Sequence, residues 1–228
     1  MLSLNKYRYQ IYEALNINSD DSNIDSRLID DLIAQQRNLW IRNEYNKNRS
    51  IIDDIVQDLC CVDLEVADRS QCPKIPLDCY ILRTKEEIPA PIEFHDKTGI
   101  LRVGPLDVLG KPYSIITYSR APFAGNGRYN TKEIFTFYKD KRMYFTSADP
   151  KLKYLTKTTI RGIWDNPKDA GKYCNEDGTP CFDDTQPYPL KEWMWVYIKP
   201  LIIEELLRKI QIPEDNKNDA QTNVKQTQ

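Results

Sequence analysis

The residue types able to do chemistry are few in this 228-residue chain, which has one histidine and six cysteines. His95 stands in Ile92-Glu-Phe-His-Asp96. As a general base it would need Asp96 or Glu93 to orient it. Neighbours on an extended chain face opposite ways, and the flanking Pro89 and Pro91 suit a surface loop, so His95 is read as a loop residue. A Cys–His or Ser–His mechanism would have to recruit this one imidazole, and no G-x-S-x-G motif is present. Gly125-Asn-Gly127 is the only tight glycine cluster. It lacks the lysine and Ser/Thr of a P-loop and the third glycine of a dinucleotide fingerprint, so with Pro122 before it and Arg128 after it the cluster reads as a loop tip.

Cys72 and Cys79 are separated by six residues, as are Cys174 and Cys181. Two such pairs could offer four thiolates to a tetrahedral zinc, which makes a zinc-stabilised binding module the alternative reading, although the spacing is wider than that of a zinc knuckle. Cys60 and Cys61 read as small apolar residues at a helix–strand junction. Carboxylates pair at Asp20-Asp21, Asp30-Asp31, Asp53-Asp54, Glu86-Glu87, Asp183-Asp184 and Glu204-Glu205, mostly at helix starts or on charged faces. Asp183-Asp184 lies in a turn-rich segment and is the least explained of them. A hydrolase built on Asp183, Asp184 or His95 is therefore a third reading. No catalytic residue, cofactor ligand or metal ligand is assigned.

The elements that would position these residues follow from periodicity. Leu4, Tyr7, Ile11 and Leu15 predict a first helix, and Leu28 to Trp40 a long amphipathic one capped by Asp25 or Ser26 and broken at Asn46-Lys-Asn-Arg49. Ser50 with Asp53 resembles a capping box, so Ile51 to Leu59 is expected to form a third helix. From Cys60 the period becomes two, with Val62, Leu64 and Val66 alternating with Asp63 and Glu65. Short extended pieces follow between prolines at 79–83, 99–103 and 113–118. Ile134 to Tyr138 and Met143 to Thr146 form a hairpin around a charged loop, and 154–164 is a further extended run. Residues 165–188 make a long loop, expected to be functional or packed against a partner. Pro189 opens a last helix to Ile210, with Pro200 expected to kink or split it.

The fold class is therefore α+β: a helical body of N-terminal helices plus a C-terminal helix, with an inserted β-rich domain. The expected division is 1–59 helical, 60–164 β-rich, 165–188 loop, 189–212 C-terminal helix packing with the N-terminal helices, and 213–228 a disordered tail.

Composition narrows the function classes. With 40% hydrophobic and 29% charged residues the chain can bury a core, so wholesale disorder is not expected. A formal net charge of −2 shows none of the basic excess of a dedicated nucleic-acid binder. The start, Met-Leu-Ser-Leu-Asn-Lys-Tyr, lacks an apolar signal region, and no apolar run reaches membrane-spanning length, so no membrane partner is expected and synthesis in a cytosol with reduced thiols is.

The remaining anomaly is apolar. Trp193 to Ile198 is hydrophobic all round a helix, which fits either a central core helix or a subunit contact. The 14 tyrosines outnumber the 6 phenylalanines and 4 tryptophans, and tyrosine suits half-wet interfaces. Phe123, Tyr129, Phe135, Phe137, Tyr144, Trp193 and Trp195 are the candidate subunit contacts.

Gln36 to Arg49, the run Ile55-Val-Gln-Asp-Leu-Cys-Cys-Val-Asp-Leu-Glu65, and Cys79 to Pro89 resemble ring proteins of the head-to-tail connector in crAss-like bacteriophages, across residues 1 to 212. The resemblance implies a non-enzymatic structural virion protein without cofactors, a tail adaptor forming a homo-oligomeric, twelve-subunit ring under the portal. Its implied partners are the portal protein and other connector or tail rings, with genomic DNA passing through unread. It also implies a place at the portal vertex and tail after synthesis in host cytoplasm. The family has no catalytic residues to carry over.

Overall fold

The computed structural model describes residues 1–15, 24–67, 81–107, 109–125, 127, 130–173 and 178–210. Within them lie three α-helices and a seven-stranded sheet, a mixed α+β architecture. Helix α1, Leu4–Ala14, buries Leu4, Tyr7 and Ile11, one face at the expected helical spacing. Helix α2, Ser26–Asn48, starts where Asp25 accepts the Arg27 N–H at 2.9 Å, an N-cap that satisfies an otherwise orphan donor. It runs past the expected break at Asn46 and ends at Arg49, which turns left-handed with φ 53°.

The expected third helix does not form. Residues 53–55 make one 3-10 turn whose N-cap is Ile52 without a side-chain bond, so Ser50 caps nothing there. Strand β1, Gln57–Val66, then begins three residues earlier than the change of period at Cys60. The segment is rich in β-branched residues, and pairing with a distant strand outweighs its weak helical pattern. The partners are β2, Ile81–Thr84, and β7, Lys157–Gly162. The first part of β1 pairs with β7 and its last residues pair with β2. The register shifts between Leu59 and Val62, where Cys61 has φ 56°, so a bulge bends β1 between its two partners.

Strands β3, Ile100–Gly104, β4, Ser114–Ile115, β5, Phe135–Lys139, and β6, Arg142–Thr146, complete the order β3-β7-β1-β2-β6-β5-β4. The sheet curls far enough for its two ends to meet, since Tyr113 beside β4 donates its N–H to the Val103 carbonyl of β3 at 2.8 Å. The predicted hairpin is β5–β6. Its turn is Asp140-Lys141, with φ 49° and 60°, the two left-handed residues of a type I′ turn. The run expected over 154–164 divides into a 3-10 turn, Pro150–Tyr154, and then β7.

Helix α3, Glu192–Ile210, continues without interruption through Pro200. Its inner face, Met194, Ile198, Ile202 and Leu206, is buried. The three helices meet through aromatic pairs, Tyr7 with Trp195 at 4.5 Å and Trp40 with Trp193 at 4.7 Å. One continuous apolar cluster runs from these helices into one face of the sheet, through Leu59, Val62, Leu82, Met143 and Phe145. A second, small cluster of Ile81, Ala121, Phe137 and Tyr144 covers the opposite face. The alternation of side chains along β2, β5 and β6 assigns these residues to opposite faces. The lid over the small cluster is a 3-10 turn, Tyr118–Phe123.

Candidate assembly surface

The residues singled out for chemistry are placed apart. His95 is exposed in the turn closed by the Phe94 N–H to Lys97 carbonyl bond. Its neighbour Asp96 faces elsewhere, accepting the Tyr45 hydroxyl at 3.1 Å and pairing with Arg49 at 3.6 Å. Gly125 is buried with φ 82°, a conformation that favours glycine. Among the described residues no group of three or more His, Cys, Asp or Glu side chains could hold a metal ion. Cys72, Cys79 and Cys174, three of the four candidate zinc ligands, lie outside the described residues. Cys181 lies beside Cys60, whose thiol and backbone N–H donate to it and draw the Cys181 thiol down to about 7.

Asp183 and Asp184 have structural partners. Asp183 accepts the Thr185 hydroxyl at 2.8 Å and the Asp184 N–H at 2.7 Å, both within its own turn. Asp184 lies 2.9 Å from Arg8, which also grips Asp30 with two bonds of 2.6 Å, and Lys168 adds a third bond to Asp30 at 2.8 Å. Burial works to raise the Asp30 pKa, but the hydrogen bonds from Arg8 and Lys168 outweigh it and hold the carboxyl below its usual range. This network ties α1, α2 and the segment after β7 together. The described part of the long 165–188 segment packs on its own chain: Phe182 meets Tyr188 at 6.0 Å, and Tyr188 meets Tyr7 at 6.1 Å.

One internal residue escaped notice in the sequence. Arg37 is fully buried, and its guanidinium donates to the backbone carbonyls of Pro189 at 2.8 Å, Trp164 at 3.1 Å and Ile55 at 3.2 Å. Asn38 accepts a fourth bond at 3.0 Å. A buried charge satisfied mainly by peptide dipoles needs them fixed in place, so Arg37 joins α2 to the entry of β1, the exit of β7 and the entry of α3. Burial draws its pKa down, with Tyr188 and Asp165 opposing. Its position on the α2 periodicity gives no hint of this role, because the three carbonyls come from far along the chain.

The seven aromatic candidates divide sharply. Phe135, Phe137, Tyr144 and Trp195 are buried within the chain. Phe137 stacks on Tyr144 at 5.2 Å, and Trp195 donates its indole N–H to Gln10 at 2.6 Å. Tyr129 lies outside the described residues. Phe123 is 78% exposed and Trp193 44%. Trp193, which packs one edge on Trp40, borders a row of exposed apolar residues on the outer face of α3, Val196, Tyr197, Leu201 and Leu207. A helix that is buried on one side and apolar on the other leaves more apolar surface in contact with water than an ordinary surface helix does.

Fold and surface together describe an α+β subunit whose polar clusters serve its own packing and whose unusual exterior is apolar. Residues 7–226 match the family model described as phage tail ring protein 2. The chain is 23% identical over 226 residues to "Ring protein 2" of Bacteroides phage crAss001, covering 98% of each chain. The chain therefore belongs to the phage tail ring protein 2 family, and its role is that of a structural ring component of a phage tail.

Proposed function

We propose that the chain is a subunit of a head-to-tail connector ring, a portal adaptor that extends the DNA channel of a short-tailed phage. The observation that carries this reading is family membership across nearly the whole chain, residues 7–226. In this reading, copies of the chain close into a homo-oligomeric ring matched to a twelve-fold portal, with the portal on one side and further tail rings on the other. The helical body buttresses the ring and the sheet meets neighbouring rings. Genomic DNA passes through unread. A net charge of −2 supports this, because tight phosphate neutralisation would hold the DNA in the channel.

Cryo-electron microscopy of particles of the phage encoding this chain tests the proposal. The expected result is a closed ring of this chain in contact with the portal. Absence of the chain from particles, or its presence elsewhere than next to the portal, would sink the adaptor role.

A further inference from the structure

Two thiols meet where the segment after β7 lies against β1. Cys60 is on β1, next to the bulge at Cys61. Cys181 comes from far along the chain, in the segment after β7. Both backbones are held in place. Leu59, beside Cys60, pairs with Ile160 of β7, and the Cys181 N–H donates to the Tyr173 carbonyl at 2.7 Å. The Cys181 sulfur accepts from the Cys60 thiol and from the Cys60 N–H, so the two sulfurs are in contact. Neither is sealed from solvent. Both residues are half-buried, and Cys60 lines a cavity of about 90 Å³ with Asp58, Arg102, Thr159 and Arg161.

The contact is asymmetric, and the asymmetry assigns roles. The donors from Cys60 draw the Cys181 thiol down to about 7, against burial and the Asp58 carboxylate. Cys60 moves the other way. Its bond to Cys181 pushes its thiol up, and burial, Asp58 and Cys61 add to the effect. A thiolate, not a thiol, attacks a disulfide, and a sulfur that ionises near ambient pH attacks best. Cys181 is therefore the attacking sulfur and Cys60 the resolving one.

We infer that Cys60 and Cys181 form a redox modification site, a dithiol that a small-molecule disulfide converts into an intrachain disulfide. The Cys181 thiolate attacks one sulfur of RS–SR and releases RS⁻, which leaves Cys181 carrying SR. The Cys60 thiol gives its proton to solvent as its sulfur attacks Cys181, and the second RS⁻ leaves. Both thiolates pick up protons, so two RSH form for each bridge: the cysteines are oxidised and the small disulfide is reduced. The new bond closes the chain around β2 to β7 and ties the segment after β7 to the bulge in β1. Closing so long a loop stabilises the fold by restricting the unfolded chain. A phage tail protein is made in a reducing cytosol and works outside the cell, so the dithiol suits folding and the disulfide suits the finished particle. The site itself rests on the geometry of this chain and not on the connector reading.

The test uses the purified, reduced full chain and glutathione disulfide. A non-reducing digest read by mass spectrometry should contain a peptide that joins the stretches holding Cys60 and Cys181. Cys61 adjoins Cys60, so variants assign the bridge: Cys61→Ala should keep it and Cys60→Ala should lose it. In Cys60→Ser the reaction should stop with one glutathione on Cys181. This variant keeps a hydroxyl donor beside Cys181 and serves if Cys60→Ala fails to fold. The oxidised wild type should melt about 5–15 °C above the reduced form, a gap absent from Cys60→Ser and Cys181→Ser. A bridge from Cys181 to any other cysteine, a bridge to Cys181 that persists in Cys60→Ser, an oxidised form that melts no higher than the reduced one, or a Cys181 that does not react would overturn the inference. The result is independent of where the chain sits in the particle, so its failure is distinct from failure of the connector reading.

Discussion

At the scale of single residues, two charged side chains, Arg37 and Asp30, contact several parts of the chain at once. Arg37 satisfies three backbone carbonyls from three different segments. Replacement by methionine keeps much of the volume but leaves those carbonyls without a donor, at roughly 1–3 kcal/mol for each group left unpaired. Arg37→Met is expected to cost on the order of 3–5 kcal/mol after relaxation, read as a drop in the urea midpoint. A change below about 1 kcal/mol would show that the guanidinium is not the junction.

Asp30 makes a pH-dependent contribution. Its folded pKa lies below its unfolded value of about 4, so the stability it contributes is fully present above pH ~4 and is lost as pH falls through the folded value. Asp30→Asn should destabilise by roughly 2–3 kcal/mol at neutral pH, because Arg8 and Lys168 lose their shared partner. The gap between variant and wild type should close in acid. A gap that stays constant from pH 7 to pH 3 would assign the effect to packing instead of charge.

At the scale of elements, the β5–β6 hairpin is fixed by its turn as much as by its strands. Asp140 and Lys141 both hold left-handed backbone, and the second position of a type I′ turn favours glycine because it carries no Cβ. Lys141→Gly should stabilise the fold by about 0.5–1 kcal/mol. The Lys141–Glu87 ion pair that it removes is exposed and contributes little. A lower melting temperature in this variant would show that the Lys141 contacts outweigh the backbone strain.

The elements also show where periodicity is a safe guide and where it is not. The faces of α1 and α2, the Asp25 cap and the hairpin were legible because each depends on local geometry. Residues 51–59 carry a helical pattern that does not decide their structure, because apolar residues at 51, 52, 55, 56 and 59 fit either period over so short a run, and pairing with β7, about a hundred residues further on, decides the outcome.

At the scale of the whole molecule, the helices and the sheet share one apolar cluster, and Arg37 pins both to each other. The protein is therefore expected to unfold in one cooperative transition. Far-ultraviolet circular dichroism should coincide with fluorescence from Trp40, Trp164, Trp193 and Trp195. An independently stable β-rich domain spanning 60–164 would instead give two transitions, or curves that differ between the probes.

The sequence by itself determined the mixed α+β class, the absence of a basic excess, the helical periodicities and the likeness to phage ring proteins, because these depend on composition, local spacing and motif. Of the candidate contacts, it identified aromatic residues but not their direction. Phe137 and Tyr144 alternate on their strands as well as any surface pair would, and only the lid of residues 118–123 turns that face inward. Phe123 stays outside because its turn is already packed on the other side, and Trp193 is only half covered, by Trp40 of α2. Which aromatic is core and which is surface is a property of the second layer laid over each face. That layer is set by contacts between residues far apart in the chain, so only the tertiary structure decided it.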